Sequence, residues 1–398
     1  MGERTALIVG AGIGGLAAVL ALGRSGWQVR IFERAPDVRA LGFGISLAPN
    51  AVAALDELGI AERVTAAACV TANVEIRKSN GKLLRRFNVS GDLADAAPVI
   101  ALRPALHGAL LLALPAGAVS VGSEAVAFQA AGPEVVLRFH NGHSVTGDVL
   151  IGADGVSSIV RRLLHPEERP ARRSGYFAIR GVAYGAADGL GDLSAVAYLG
   201  RGIEAATLRA SRDDVYWYVS LLAEDAARLR NAPQTLLEHC AALLDDGFRR
   251  VVEKTRPDDV RLDELFECDP LATWGAGRVT LIGDAAHPML PHTGQGAAQA
   301  LEDAVALGLA LSSDTDPAVS LRKYERVRAA RTRAIVRRGP RIAGFTTTKS
   351  RIIDGIRSAA IALMPARVAA AGFLLRRATD PHRALRPTVV RLRQGSQW

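Results

Sequence analysis

The stretch TALIVGAGIGGLAAVLALGRSGWQVRIFER, residues 5–34, leaves the chain little freedom in how it can fold. The apolar run Ala6 to Val9 predicts a buried parallel strand. Gly10, Gly12 and Gly15 form a G-x-G-x-x-G turn into a helix predicted through Leu22, and Gln28 to Phe32 predicts a second strand. Each glycine answers a separate need. Gly10 permits the tight turn, Gly12 lets the backbone approach a pyrophosphate, and Gly15 lets helix and strand pack closely, so phosphates rest on the helix N-terminus beside Ile13 and Gly14. Glu33 ends the second strand, where a carboxylate can accept hydrogen bonds from a ribose diol. A turn with no ligand is the bland alternative, and the unit alone serves NAD as well as FAD.

Two later motifs break that tie. Val149 to Gly152 reads as a strand that runs into Ala153-Asp154-Gly155 and a basic helix start at Arg161 and Arg162. Val279 to Ile282 reads as another, followed by Gly283-Asp284 and a glycine-rich approach, Gly294 and Gly296, to a helix from Ala297 to Leu311. The positive end of that helix suits a ring oxygen that gains negative charge on reduction, and Asp284 suits the hydroxyls of a polyhydroxy chain. Two strand ends plus a separate acidic turn exceed what NAD needs and favour FAD.

Together GAGIGG…FER, GADGVSSIVR and GDAAHPMLPHTGQGAAQALEDA resemble the single-component flavoprotein monooxygenases of the para-hydroxybenzoate hydroxylase and salicylate hydroxylase type, over roughly residues 5–330. The resemblance implies that Gly10 to Gly15, Glu33 and Arg34 hold the adenosine diphosphate half of FAD, and that Val126 meets adenine through its backbone. It puts Arg103 at the flavin and pyrophosphate and Gly44 at the cofactor, with Ser46 following a glycine loop that lies over the flavin and directed toward substrate. Asp154 supports both FAD and the nicotinamide donor, Asp284 binds the ribityl chain, Gly296 and Ala297 face the pyrimidine ring, and Pro291 lies beside the flavin carbon that carries oxygen. The implied activity is hydroxylation of a small phenolic or aromatic-acid substrate with O2, through a flavin hydroperoxide. NADH or NADPH docks transiently, with Arg161 a candidate contact. The chain departs from GQGANQA in carrying Ala298, and His292 and Thr293 replace residues that are often apolar in relatives.

The fold class this predicts is α/β: a Rossmann-like FAD-binding domain with an inserted antiparallel-sheet substrate domain and a C-terminal helical segment. The FAD-binding parts are 1–69, 100–172 and 273–330. A hairpin at 70–99 and a sheet at 173–272 form the substrate domain, and 331–398 is the basic tail. Between the second and third motifs the hydrophobic period is two, over Tyr176 to Val182, Leu193 to Leu199, Ala205 to Ala210 and Val215 to Leu222. Tyr216 and Tyr218 share one face and Trp217 takes the other. Either phenol suits orienting a ring substrate or shuttling its proton, and aromatic sheet packing explains both equally well. Arg180 suits a carboxylate clamp. His292 suits a base or hydrogen-bond donor near neutral pH, while His287 is assigned to the turn.

Length, 398 residues, and 49% hydrophobic content support two or three domains with sizeable cores. Cys69, Cys240 and Cys268 form no C-x-x-C pair, which excludes a disulfide framework or zinc site as the organising element and fits a reducing cytoplasm. The net charge of +9 belongs to the tail: from Arg322 onward 19 Lys or Arg face three acidic residues. That segment reads as a helical cover on the flavin domain, with a membrane or partner surface as the alternative. Nucleic acid is excluded by the want of aromatic interleaving, and a monomer or homodimer is expected. The rival functions are epoxidation or oxidation of a non-aromatic metabolite, and a redox-silent flavoprotein whose basic tail binds a partner or membrane. The halogenase signature W-x-W-x-I-P is not in the sequence.

Overall fold

A computed structural model describes residues 4–366 and 368, apart from 39–41, 90–97, 228, 230–231 and 314–315. A parallel sheet places all three motifs at one edge. Its strands run in the order Val279–Leu281, Val149–Gly152, Thr5–Val9, Gln28–Phe32, Val119–Ser120. Val9 pairs with Gly152 on one side and Phe32 on the other, and Gly152 pairs with Leu281. The three motif turns therefore leave the sheet side by side, at the carboxyl ends where such folds bind ligands. Ala6, Leu7 and Ile8 are fully buried because the helix Ile13–Arg24 covers one face and the antiparallel strands Ala125–Ala131, Glu134–Phe139 and Ser144–Gly147 cover the other, which explains an unbroken apolar run in place of alternation.

The helix after the first turn, Ile13–Arg24, crosses the helix after the third, Gly296–Leu311. Gly308 lets them meet: a Cβ there would stand 2.9 Å from both the Cβ and the carbonyl oxygen of Ala21.

A seven-stranded sheet faces the motif edge. Its order is Val260–Glu267, Arg172–Ala183, Val215–Leu222, Ile203–Arg209, Ala195–Leu199, Asn73–Lys78, Leu83–Asn88. The hairpin near residue 80 joins it through a parallel pairing of Ala195 with Val74. The edge strand Val260–Glu267 and the helices Pro233–Ala241 and Asp246–Glu253 were not anticipated from sequence. Those helices bury one face of the sheet. On that face Trp217 is fully buried, packs edge-on to Phe248 and donates its indole N–H to the Thr255 hydroxyl at 2.8 Å. Tyr216 and Tyr218 lie on the opposite face, as the period-two pattern predicts.

The helix Pro317–Thr346 runs unbroken through residue 330, where the sequence reading ends the FAD-binding segment, because Asp316 caps its start and it packs along Gly296–Leu311. Its arginines are not uniformly solvated: Arg328 is buried and Arg333 donates to the Leu271 carbonyl. A last helix, Arg351–Leu363, is tied down by the buried Arg357, which donates to the carbonyls of Phe345 at 2.9 Å and Gly200 at 3.1 Å. The apolar run from Val368 to Leu375 lies, beyond Val368, outside the described residues. Among the described residues no helix is long and apolar enough to cross a membrane.

The helix crossing yields a test. Gly308→Val drives two methyl groups into Ala21, and we expect a loss of about 1–3 kcal/mol, read as a lower urea midpoint with unchanged slope.

Candidate active site

The first two motif turns interlock through backbone. Gly10 has φ +102°, and a Cβ there would lie 2.5 Å from the Ala153 carbonyl oxygen and 2.8 Å from Asp154 Cα. Only glycine fits. At Gly12 and Gly296, by contrast, a Cβ would meet nothing within 4 Å, so space opens above both helix starts. Neither helix has a side-chain cap, and their first amides point into that space. Such paired, uncapped N-termini fit the phosphates and the electron-accepting ring of a flavin dinucleotide.

Acidic groups border the same space. Glu33 accepts backbone N–H bonds from Ala11 and Ala35, each at 2.9 Å, and so braces the loop while its remaining lone pairs stay available to a ribose. Asp154 is committed otherwise: it accepts from the Ser158 hydroxyl and from the Ile159 N–H at 2.7 Å, which starts the helix Ile159–Leu164. Burial raises its carboxyl, and these bonds oppose the rise. Asp284 carries no hydrogen bond among the described residues. It keeps solvent-accessible surface at the bottom of a recess, and the protein mass around it raises its carboxyl against the pull of His287 and Arg103. Arg103 begins the helix Arg103–Leu112 within electrostatic reach of Asp284, Arg180 and Arg261, and burial lowers its guanidinium.

Several expected contacts fall elsewhere. At Gly44 a Cβ would collide with the Tyr216 ring, so the backbone there lies directly against that ring. Ser46 sits in the strand Gly44–Leu47, paired with Ile100. Gly14 and Gly15 face inward, toward Ala300 and the Gly10 carbonyl. Arg161 is buried, ion-paired to Glu168, and donates to the carbonyls of Ala285 at 3.0 Å and Ala286 at 3.3 Å. It staples the second motif to the third and has no surface to offer a nicotinamide donor. Val126 and Arg34 are exposed at the Glu33 end, and Ile13 is buried at the helix start.

Across the recess stands the polar face of the large sheet. His292, in the turn Pro291–Thr293, shares a 2.9 Å hydrogen bond between Nε2 and the Ser220 hydroxyl, with the Tyr176 ring 5.2 Å away. Pro291 beside it is exposed and Ala297 half-buried. Tyr218 donates to Glu204 at 3.1 Å, and Tyr216 is buried beside it. Arg180 is not a free clamp: it holds Asp263 at 2.6 Å, as does Arg261 at 2.7 Å. A groove of about 400 Å³ between Phe43, Leu102, Val182, Tyr184 and Arg261 opens along the seam, away from His292.

Behind the third motif lies a buried ionic cluster. Asp303 accepts from the Gly283 N–H at 2.9 Å, from His287 at 2.5 Å and from Arg328 at 2.7 Å. Arg328 also pairs with Glu302, which binds Asn50 at 2.5 Å and Arg331 at 2.9 Å. Asn50 bonds Gln295, the residue before the Gly296 helix, at 3.0 Å. Burial pushes the Asp303 carboxyl up, yet His287, Arg328 and the Gly283 amide hold it down at about 2. Arg328 and Arg331 likewise hold Glu302 below its ordinary range. Two acids inside the otherwise apolar run GAAQALEDAVALGLAL were the sequence signal for this cluster.

Open helix starts, a ribose-ready acid and an uncommitted recessed acid at one parallel-sheet edge define a dinucleotide-binding flavoprotein. The family described as FAD binding domain matches residues 3–339, and the chain belongs to that family. It is similar to aurachin C monooxygenase/isomerase of Stigmatella aurantiaca, 32% identical over 83% of this chain and 87% of the relative. It is also similar to 3-hydroxybenzoate 6-hydroxylase 1 of Aquipseudomonas alcaligenes, 33% identical over 82% and 85%. Among solved structures, Klebsiella pneumoniae HpxO complexed with FAD and uric acid shares the fold, with a TM-score of 0.87 over 94% of this chain and 96% of that one at 24% identity. The chain is a flavoprotein monooxygenase of the aromatic hydroxylase type.

Two measurements follow from the geometry. Asp284→Asn should weaken FAD retention with little change in melting, whereas Asp154→Ala removes the acceptor that holds the Ser158 cap and the Ile159 amide and should cost about 1–2 kcal/mol of stability; spectrophotometric FAD titration and thermal melts of both variants separate the two. The Asp303 carboxyl titrates below its unfolded value of about 3.9, so its stabilisation is complete above that pH and is lost as pH falls toward about 2. Asp303→Asn should therefore lower stability at neutral pH and flatten the acid limb of a stability-against-pH curve.

Proposed function

We propose that a small aromatic ring bearing a hydroxyl binds between the His292 turn and the Tyr218 face of the sheet, and that this cleft is where it is hydroxylated. The observation that carries the reading is the His292–Ser220 hydrogen bond: the turn of the third motif and the polar face of the sheet meet there. FAD, when bound, accepts electrons from NADH or NADPH and activates O2.

The chain's own groups supply the rest. Backbone amides at Gly12 and Gly296, with Glu33 and Asp284, would hold the dinucleotide, and Arg103 would offset its negative charge. The His292–Ser220 pair can take or return the proton of a ring hydroxyl, which enriches the ring for attack. Tyr218, fixed by Glu204, orients the ring, and the apolar packing of Tyr216 with Ile100 and Leu208 helps keep water out. Arg180 and Asp263 form a paired wall rather than a carboxylate clamp. Its relatives include hydroxybenzoate and aminohydroxybenzoate monooxygenases and a probable quinolone synthase, which favours phenol-like rings.

The test is a panel of phenols and aromatic acids, scored by substrate-stimulated NAD(P)H oxidation and by product mass. A gain of one oxygen atom is expected for at least one ring substrate. His292→Ala should leave reduction of the flavin intact and divert most NAD(P)H oxidation to hydrogen peroxide. Wild-type coupling in that variant would move the proton-handling group elsewhere.

A further inference from the structure

Glu204 has only one of its two carboxylate oxygens committed. It lies on Ile203–Arg209, facing the cleft, and is 9% exposed. Oε1 accepts the Tyr218 hydroxyl, while Oε2 is buried with no hydrogen-bond partner among the described residues. No Lys or Arg among them forms an ion pair with it. Leaving a carboxylate oxygen bare inside a protein is costly, and such an atom calls for an explanation.

Its neighbours supply one. Ser220 stands directly across the ladder from Glu204, and Ser220 holds His292. The Cβ atoms of Glu204 and of the serine in the pair that handles the ring hydroxyl therefore stand about 5 Å apart on one face. Two substituents on one six-membered ring span that gap. The next row of the same face carries the small side chains of Ala197 and Ala206 beside Tyr218.

We infer that Glu204 Oε2 accepts a hydrogen bond from a ring N–H or arylamine of the substrate. The enzyme then takes nitrogen-bearing aromatics that carry an oxygen substituent for His292–Ser220 and an N–H for Glu204, and it disfavours a carboxylate at the Glu204 end. The inference rests on the hydroxylase reading for the placement of the ring.

Calorimetric titration of the FAD-loaded enzyme with 4(1H)-quinolone and with its N-methyl analogue tests it. Wild type should bind the N–H probe at least tenfold more tightly. Glu204→Gln and Glu204→Ala should reduce that preference below threefold while still binding the N-methyl probe, which shows that the cleft is intact. Preference retained in both variants, equal binding or no binding of the two probes by wild type, or loss of both probes in the variants would each overturn the inference. A wild type that oxygenates phenols without the N–H preference overturns this subsite and leaves the hydroxylase reading standing. One with the preference but no oxygen transfer to any panel ring does the reverse.

Discussion

Arg328 organises the centre of this molecule. Its guanidinium is buried and divides its donors between Asp303, Glu302 and Gln299, so that one side chain on the long helix fixes three on the helix of the third motif. Through Asp303 the hold reaches the Gly283 amide and His287, and through Glu302 it reaches Asn50 and Gln295. Burying these charges is expensive, and the pairing of Arg328 with Asp303 and Glu302 is what makes the arrangement tolerable. Removing any one member leaves the others charged and dry.

That cluster also explains why helix starts can be left open. A helix N-terminus without a cap has unsatisfied amides and would ordinarily fray. At Gly296 the first turn is anchored from behind by Gln295, Gln299 and Glu302, so the front can stay bare for a ligand. The same long helix passes the His292 turn farther along, with Gly339 against Leu290 and Thr293 and with Ala343 buried beside Leu290 and Leu265. One continuous element thus positions the floor of the cofactor recess and the turn that touches the substrate sheet.

What could be read from sequence were the features with strong local causes. Gly10 and Gly15 are where backbone approaches backbone, and the parity of Tyr216, Trp217 and Tyr218 is a property of any half-buried strand. The partners were illegible because they come from far along the chain. Arg161 looked like a solvated helix arginine until Ala285, Ala286 and Glu168 closed around it. Arg180 looked free because Asp263 sits on a strand with weak alternation. Arg328 was one arginine among many in a basic tail, and only Glu302 and Asp303, out of place in an apolar helix, hinted at it.

The seven-stranded sheet has a consequence for how the chain is made. Its hairpin pairs in parallel with Ala195–Leu199, and the Ala72 amide binds the Ser194 hydroxyl across 122 residues of sequence. A ribosome adding about 5–20 residues each second needs on the order of 6–24 s to supply the partner strand. During that interval Asn73–Lys78 and Leu83–Asn88 form a two-stranded piece with an open edge, a form that is marginal alone in water. The parallel sheet waits longer still, because its outer strand Val279–Leu281 is synthesised last. The nascent chain therefore exposes sheet edges for most of its synthesis: the seven-stranded sheet is completed by Val260–Glu267, and the parallel sheet only when the third motif emerges.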